Sequence, residues 1–548
     1  MHSIRYVLLS AWLITSGLGV SVAQNIDPDR RIDVQHYTFR LDINDSNDKI
    51  RGETDVVIKF TAPDVRQFSL DLVGSTDNGK TGMSVQQVSK DNLPVSFDHA
   101  NDRLTIQLSE PATTNDVLTF HIVYQGTPMD GLIISENKYG DRTFFGDNWP
   151  NRAHYWLPTK DHPSDKATCE FIVKAPEHYE VIANGVKREE SDLPPEQNKN
   201  LKLTHWATLY PIATKVMVFG AARFAIRYEP LSSPTDIQDW VFPEDREIGF
   251  KNLSSTANVI KFFEEQIGPY PYEKLANVQS STRYGGMENA SNIFYNQDAI
   301  EKEQTIESLV AHEVAHQWFG NSVTEKTWQD VWLSEGFATY MTHLYMAHTY
   351  GQDSLLTRLE DDKQRIFSFQ MKSPRSAVID TSETNLFKLL NANTYQKGAW
   401  FLHMLRAQVG DTYFFEGLRE YYKTYQHRNA STQDFRAVME RVSGKSLGDF
   451  FSTWLYQSGY PVIQGTWKYA GMGKKLSLEL EQVQMTDTFF PLHLPVAIYY
   501  PGEPSPEVKT VSFTQKKESY TLKLKKKPRQ IVLDPNHQLL IEQLFTKK

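Results

Sequence analysis

Between about Ile32 and Phe224 apolar and polar positions alternate with a period of two. Examples are His36-Tyr37-Thr38-Phe39-Arg40-Leu41-Asp42-Ile43, Thr54-Asp55-Val56-Val57-Ile58-Lys59-Phe60 and Leu104-Thr105-Ile106-Gln107-Leu108. Successive side chains of a strand point to opposite faces, so such runs between turn clusters predict an antiparallel β-domain. The charged stretch from Glu189 to Asn200, with Pro194 and Pro195, predicts an exposed hairpin loop. After Pro234 the period lengthens: Ile306, Leu309, Val310 and Val314, and later Phe435, Val438, Met439 and Val442, fall on one face of a helix. Ser431 with Asp434 and Ser446 with Asp449 predict capping boxes for two late helices, and Gly459 followed by Pro461 is a stop signal. Alternation returns in Leu476-Ser477-Leu478-Glu479-Leu480 and Leu494-Pro495-Val496-Ala497-Ile498-Tyr499, which predicts a small C-terminal β-sandwich.

At roughly 150 residues per domain, 548 residues predict three or four domains. Apolar residues make up 40% and charged residues 23%, the balance of a folded protein with a sizeable core. The formal net charge of −9 argues against a non-specific nucleic-acid binder, which needs a basic surface to displace counterions. The basic stretch Lys516 to Arg529 reads as a solvated strand face, and the single cysteine, Cys169, as a buried structural thiol without an internal disulfide. Met1 to Arg5 is a short basic region, Tyr6 to Val20 a mostly apolar run, and Ser21-Val22-Ala23 a small-residue cleavage site. The apolar run is shorter than the roughly 20 residues that span a bilayer. A removable leader is therefore expected over 1–23, with export to a periplasmic or extracellular compartment and no stable membrane insertion after cleavage.

The chemistry concentrates in His312-Glu313-Val314-Ala315-His316. On a helix, four steps of about 100° leave the two imidazoles about 40° apart, so both can reach one metal. Glu313 lies between them in angle, where it can act as a general base without being a ligand. Catalytic zinc takes three protein ligands, and Glu335, in Trp332-Leu333-Ser334-Glu335-Gly336 at the start of a second amphipathic helix, is the third candidate. With the observed numbers of histidines and acids, chance supplies only about 0.06 accidental matches to the helical motif. Two neutral imidazoles and a carboxylate with an open position suit one Zn²⁺ and hydrolysis of a carbonyl compound.

The surrounding residues resemble the gluzincin aminopeptidases, the family that includes aminopeptidase N and the leukotriene hydrolase. The likeness rests on His316-Gln317-Trp318-Phe319-Gly320-Asn321, Lys326-Thr327-Trp328, Trp332-Leu333 before Glu335, and Gly285-Gly286-Met287-Glu288-Asn289. The last is similar to the family's Gly-x-Met-Glu-Asn exopeptidase signature. The resemblance implies a substrate-binding role for Gly285, Gly286, Met287, Glu288 and Asn289, with Glu288 holding the free amine of a peptide. Thr394-Tyr395-Gln396-Lys397-Gly398 resembles the stretch whose tyrosine stabilises the oxyanion, which implies a catalytic role for Tyr395. The family's N-terminal domain supplies a Gln or Glu to the amine pocket; here the stretch reads Gly146-Asp147-Asn148-Trp149-Pro150, so Asp147 or Asn148 is the candidate.

The resemblance implies a multidomain fold: a leader (1–23), an antiparallel β N-terminal domain (24–228), a thermolysin-like α/β, mostly helical zinc catalytic domain (229–460) and a C-terminal β-sandwich (461–548). The chain stops after that sandwich, which implies a cleft without the family's helical cap, open to longer peptides or covered by a second subunit of a homo-oligomer. The expected function is zinc aminopeptidase acting on peptides with a free N-terminal amine and not on nucleic acid. A zinc endopeptidase and a non-catalytic peptide-binding protein on the same scaffold are the alternatives.

Overall fold

In the computed structural model, residues 28–76, 80–196, 199–229 and 235–548 are described; the predicted leader lies outside them. Alternation along Ile50–Phe60 is realised as alternating burial, and this strand joins a nine-stranded sheet. The central strand Ile32–Asp42 pairs antiparallel with Ile50–Phe60 and parallel with Lys166–Pro176, so the expected antiparallel sheet is in fact mixed. A three-stranded sheet (Val65–Asp71, Arg103–Ala112, Phe97–Ala100) and a four-stranded one (Glu180–Ala183, Phe219–Ala222, Arg142–Gly146, Leu132–Glu136) complete this β-rich region. Cys169 is buried within it, as expected.

The predicted hairpin loop over 189–200 is mostly ladder. Val186–Glu196 pairs with Lys199–Ala207, and the two prolines are accommodated because Val186–Glu196 is an edge strand. The domain boundary also differs from expectation. Ala225–Tyr228 pairs with Asp236–Val241 and so belongs to the next sheet, placing the change before Ala225 rather than at 228.

That second, five-stranded sheet runs Ala225–Tyr228, Asp236–Val241, Lys274–Ser280, Asn292–Asn296, Gly286–Met287. Its three central strands are parallel, and the short edge strand Gly286–Met287 folds back antiparallel. Helices follow: Glu307–Ala315, Trp332–Tyr350, Gln352–Lys372, Gly398–Val409, Asp411–Tyr425 and Thr432–Ser443. The capping box of Ser431 and Asp434 is present and Gly444 closes that helix in the left-handed region. Ser446 and Asp449 form no such box: Leu447 is the N-cap of a single turn, Gly448–Phe451, with no side-chain cap.

Past Pro461, strands Val462–Ala470, Lys475–Gln482, Lys517–Lys523 and Glu542–Lys547 form one sheet, and Leu492–Tyr499, Glu507–Phe513 and Gln530–Leu533 another. Among the described residues no helix is long and apolar enough to cross a membrane.

Half-buried Lys166 and buried Lys274 tie these regions together through main-chain carbonyls. Lys166 Nζ donates to the carbonyls of Asn321 (2.9 Å) and Ser322 (2.7 Å), and Lys274 Nζ to those of Ala183 (3.1 Å) and Ser291 (3.0 Å). Burial pulls both ammonium groups down to about 7. Lys215, on the N-terminal side, forms a fully buried ion pair with Glu325 beside the helices. The Lys166 and Lys215 contacts hold the β-rich region against the segments that follow the helix Glu307–Ala315, and Lys274 joins Ala183 to the turn before Asn292–Asn296.

Candidate active site

The helix Glu307–Ala315 ends with His316 as its C-cap, which places His312 and His316 on one side. Their Nε2 atoms are 3.2 Å apart. Glu335, in the first turn of Trp332–Tyr350, brings Oε2 to 3.3 Å from His316 Nε2 and 3.7 Å from His312 Nε2. Donors about 2.1 Å from a tetrahedral zinc stand about 3.4 Å from one another, so these three separations fit Zn²⁺. His316 Nδ1 lies 3.3 Å from the Phe319 carbonyl and 3.0 Å from Ser334 Oγ. Donation from Nδ1 leaves Nε2 bare to bind a metal, the arrangement that orients ligating histidines.

The electrostatics also call for a cation. Glu288, Glu313 and Glu335 are each no more than 5% exposed. His316 is buried, which disfavours its charge, yet the Glu335 and Glu288 carboxylates outweigh burial and hold it up at about 9. Burial pushes Glu313 up to about 8, His316 opposing and Glu288 and Glu335 adding to the rise. Glu335 is buried too, but the two imidazoles hold its carboxyl well below the usual range.

Two glycine contacts assemble the site. A Cβ on Gly286 would fall 2.4 Å from Glu313 Oε1, so a larger residue there would have to displace this carboxylate from beside the edge strand. A Cβ on Gly336 would lie 2.9 Å from Gly398 Cα, so the helix bearing Glu335 and the segment bearing Tyr395 approach backbone to backbone. Tyr395 itself lies on a π-helical turn, Asn393–Lys397, and stacks on His312 with ring centroids 6.0 Å apart. Burial and three nearby carboxylates push its hydroxyl well above the ordinary value, so it stays a protonated donor.

The cleft is walled by Trp149, Tyr284, Met287, Leu390 and Tyr395, with Gly286, Glu288, His312, Glu313, His316 and Glu335 at its floor. Glu288 carries a buried Oε1 without a hydrogen-bond partner. A ligand atom each of Glu288, Glu313 and His316 lies within 4.8 Å of the others. Gly285 and Asn289 are outside the lining; Asn289 is fully buried.

Asp147 lies away from the cleft lining, with its Oδ2 buried and without a hydrogen-bond partner. It is fully buried and bonded to Arg152 Nη2 at 2.7 Å. Asn148 is spent: it donates to the Thr214 and Met217 carbonyls and accepts from Trp156 Nε1. Their neighbour Trp149 faces the cleft instead, its carbonyl held by Arg152 Nε at 2.8 Å and its indole edge-to-face with Tyr284, Trp328 and Phe387. Trp149, Leu390 and Ser334 carry no spacing signal in the sequence, because each acts through a neighbour distant along the chain.

Residues 33–216 match the Peptidase M1 N-terminal domain and residues 251–454 the Peptidase family M1 domain, together well over half the chain. The probable aminopeptidase 2 of Sulfurisphaera tokodaii is 28% identical over 431 residues, covering 74% of this chain and 53% of that protein. The glutamyl aminopeptidase of Mus musculus is 29% identical over 335 residues, 58% of this chain and 35% of that one. The chain thus spans between about a third and a half of the length of these relatives. Among solved structures, the M1 zinc metallopeptidase from Deinococcus radiodurans is 24% identical with a TM-score of 0.65, covering 78% of this chain and 94% of that one. A variant of it bound to the peptide Tyr-Ser-Ala superposes with a TM-score of 0.65 at 23% identity, over 79% and 97% of the two chains. On the two domain matches taken together, the chain belongs to peptidase family M1.

Proposed function

We propose that this protein is a zinc aminopeptidase that removes the first residue of peptides bearing a free amine. The observation that carries the reading is the unpartnered Glu288 oxygen beside Glu313 and His316. From standard bond lengths, an amine nitrogen lies about 2.5 Å from the carbonyl carbon of its own residue, and each further residue adds about 3.5 Å. An ammonium on Glu288 therefore puts the first carbonyl, not a later one, over the donor set.

His312, His316 and Glu335 would hold one Zn²⁺, which when bound would supply Lewis acidity and lower the pKa of a water to about 7. Glu313 accepts the proton released as water attacks the carbonyl and returns it to the departing amine. The Tyr395 hydroxyl donates to the oxyanion, where charge develops in the transition state. Only one side chain lies between amine and scissile carbonyl, and its walls are Trp149, Tyr284, Met287 and Leu390. No lysine or arginine is among the described lining residues, and three carboxylates are close by. Apolar and aromatic first residues are therefore favoured over acidic ones; the Deinococcus radiodurans relative is solved with Tyr-Ser-Ala bound.

The test is zinc-dependent hydrolysis of leucyl, phenylalanyl and glutamyl chromogenic amides and their N-acetyl versions. Free-amine phenylalanyl and leucyl amides should be cut at least ten times faster than the acetylated ones. Equal rates on acetylated substrates would make the protein an endopeptidase. We also read the C-terminal strands as a β-sandwich, and residues 1–23 as a leader for export, on the sequence pattern alone. Fractionation of the producing cell checks export, and light scattering checks a homo-oligomer that would cover the cleft.

A further inference from the structure

The carbonyl of Glu288 is gripped from the turns that follow the helix Glu307–Ala315. Gln317 Nε2 donates to it at 3.1 Å, and Asn321 Nδ2 donates to it as well. The same Gln317 amide accepts the Ser291 N–H through Oε1 at 2.9 Å, so one side chain spans both ends of the turn from Glu288 to Ser291. Both amides are wholly buried. Neither is free to wander: Gln317 N–H donates to the Val314 carbonyl (3.0 Å), Asn321 N–H to the His316 carbonyl (3.0 Å), and Lys166 secures the Asn321 carbonyl. From outside, Asn184 Nδ2 donates to the Ala290 carbonyl at 2.6 Å. Gln317 follows His316 directly and Asn321 follows it by five residues, so the anchor continues the segment that carries His312 and His316.

We infer that Gln317 and Asn321 are positioning residues that set the distance between the amine-binding carboxylate of Glu288 and the metal, and so fix cleavage after the first residue. The inference rests on the aminopeptidase reading above. A register that separates one residue from two depends on about 3.5 Å, and a misplacement near 1 Å costs about 100-fold in rate. Two amide donors on one carbonyl, with a third hydrogen bond closing the turn, hold that distance. Side chains that merely satisfied a buried carbonyl would affect stability without altering the choice between free and blocked amines.

Gln317→Met and Asn321→Leu remove the donors at similar volume. With zinc content measured for each protein, calorimetry would compare binding of L-leucine hydroxamate and N-acetyl-L-leucine hydroxamate, alongside hydrolysis of leucyl amide substrates. Each variant should keep one zinc, lose about 100-fold in kcat/KM and in affinity for the free-amine hydroxamate, and bind the acetylated compound as the wild type does. Variants that keep the wild-type ratio of free to acetylated affinity would overturn the inference, whatever their activity. A wild type without that preference would instead refute the aminopeptidase reading itself. Should a variant fail to fold, Gln317→Asn, which keeps the amide but shortens its reach by one methylene, is judged by the same ratio.

Discussion

Gly286→Ala gives the most direct test of how the base is placed. An added methyl would sit 2.4 Å from Glu313 Oε1, 2.5 Å from Cδ and 2.6 Å from Cγ, where ordinary contact begins near 3.4 Å. The strand cannot readily retreat, because Gly286 and Met287 pair with Tyr295 and Phe294. The carboxylate must therefore move by about 1 Å, a displacement expected to cost about 100-fold in rate, or about 2.7 kcal/mol of transition-state stabilisation. Steady-state hydrolysis of a leucyl chromogenic amide measures the loss, and metal analysis should show one zinc, since no ligand is touched. The overpacking should also cost about 1 to 3 kcal/mol of stability, and this cost should vanish in a Glu313→Ala background, where the methyl meets empty space. A Gly286→Ala enzyme within threefold of wild-type kcat would refute the placement, as would a stability loss that persists without the Glu313 side chain.

Glu313→Gln should retain zinc and abolish turnover, because an amide cannot accept the proton of the attacking water; near-normal kcat in a metal-replete sample would contradict the assigned base. Tyr395→Phe should lower kcat by roughly 100-fold or more with little change in KM if the hydroxyl meets only the oxyanion, read from full saturation curves. A pH effect is expected far from the metal. Burial pushes His403 down to about 4, its ring nitrogens bonded to Tyr340 Oη and the His537 carbonyl. Because its folded pKa lies below the unfolded value near 6.5, the unfolded chain binds the extra proton, and stability falls as pH drops from 6.5 to 4, by up to about 3 kcal/mol. Denaturant unfolding across that window should show the loss, and His403→Gln should flatten it.

The metal donor set was legible in the sequence because its geometry is local: positions 312 and 316 face one way on any helix, and Glu335 opens the next one. The capping box at Ser431 was legible for the same reason, whereas at Ser446 and Asp449 the pattern matches but the helix begins one residue later, with Leu447 as its N-cap. Periodicity likewise announced the strands but not their partners, so it did not show that Ala225–Tyr228, inside the expected N-terminal domain, pairs with Asp236–Val241. Alternation states which face of a segment is buried, and the partner strand depends on the path of the whole chain.

The amine pocket marks that limit most clearly. The sequence pointed to Asp147 or Asn148, whereas in the fold one Asp147 oxygen pairs with Arg152 and it is Trp149 that lies in the cleft lining. An acid in the right stretch is indistinguishable on paper from one consumed by a buried ion pair, because a carboxylate goes to whichever cation the fold brings within reach. The sequence by itself singled out the candidate metal group His312, His316 and Glu335, which the fold brings together. Only the tertiary structure decided which side chains line the cleft, and which buried amides hold Glu288 at its distance, since those contacts join residues 29 or more positions apart.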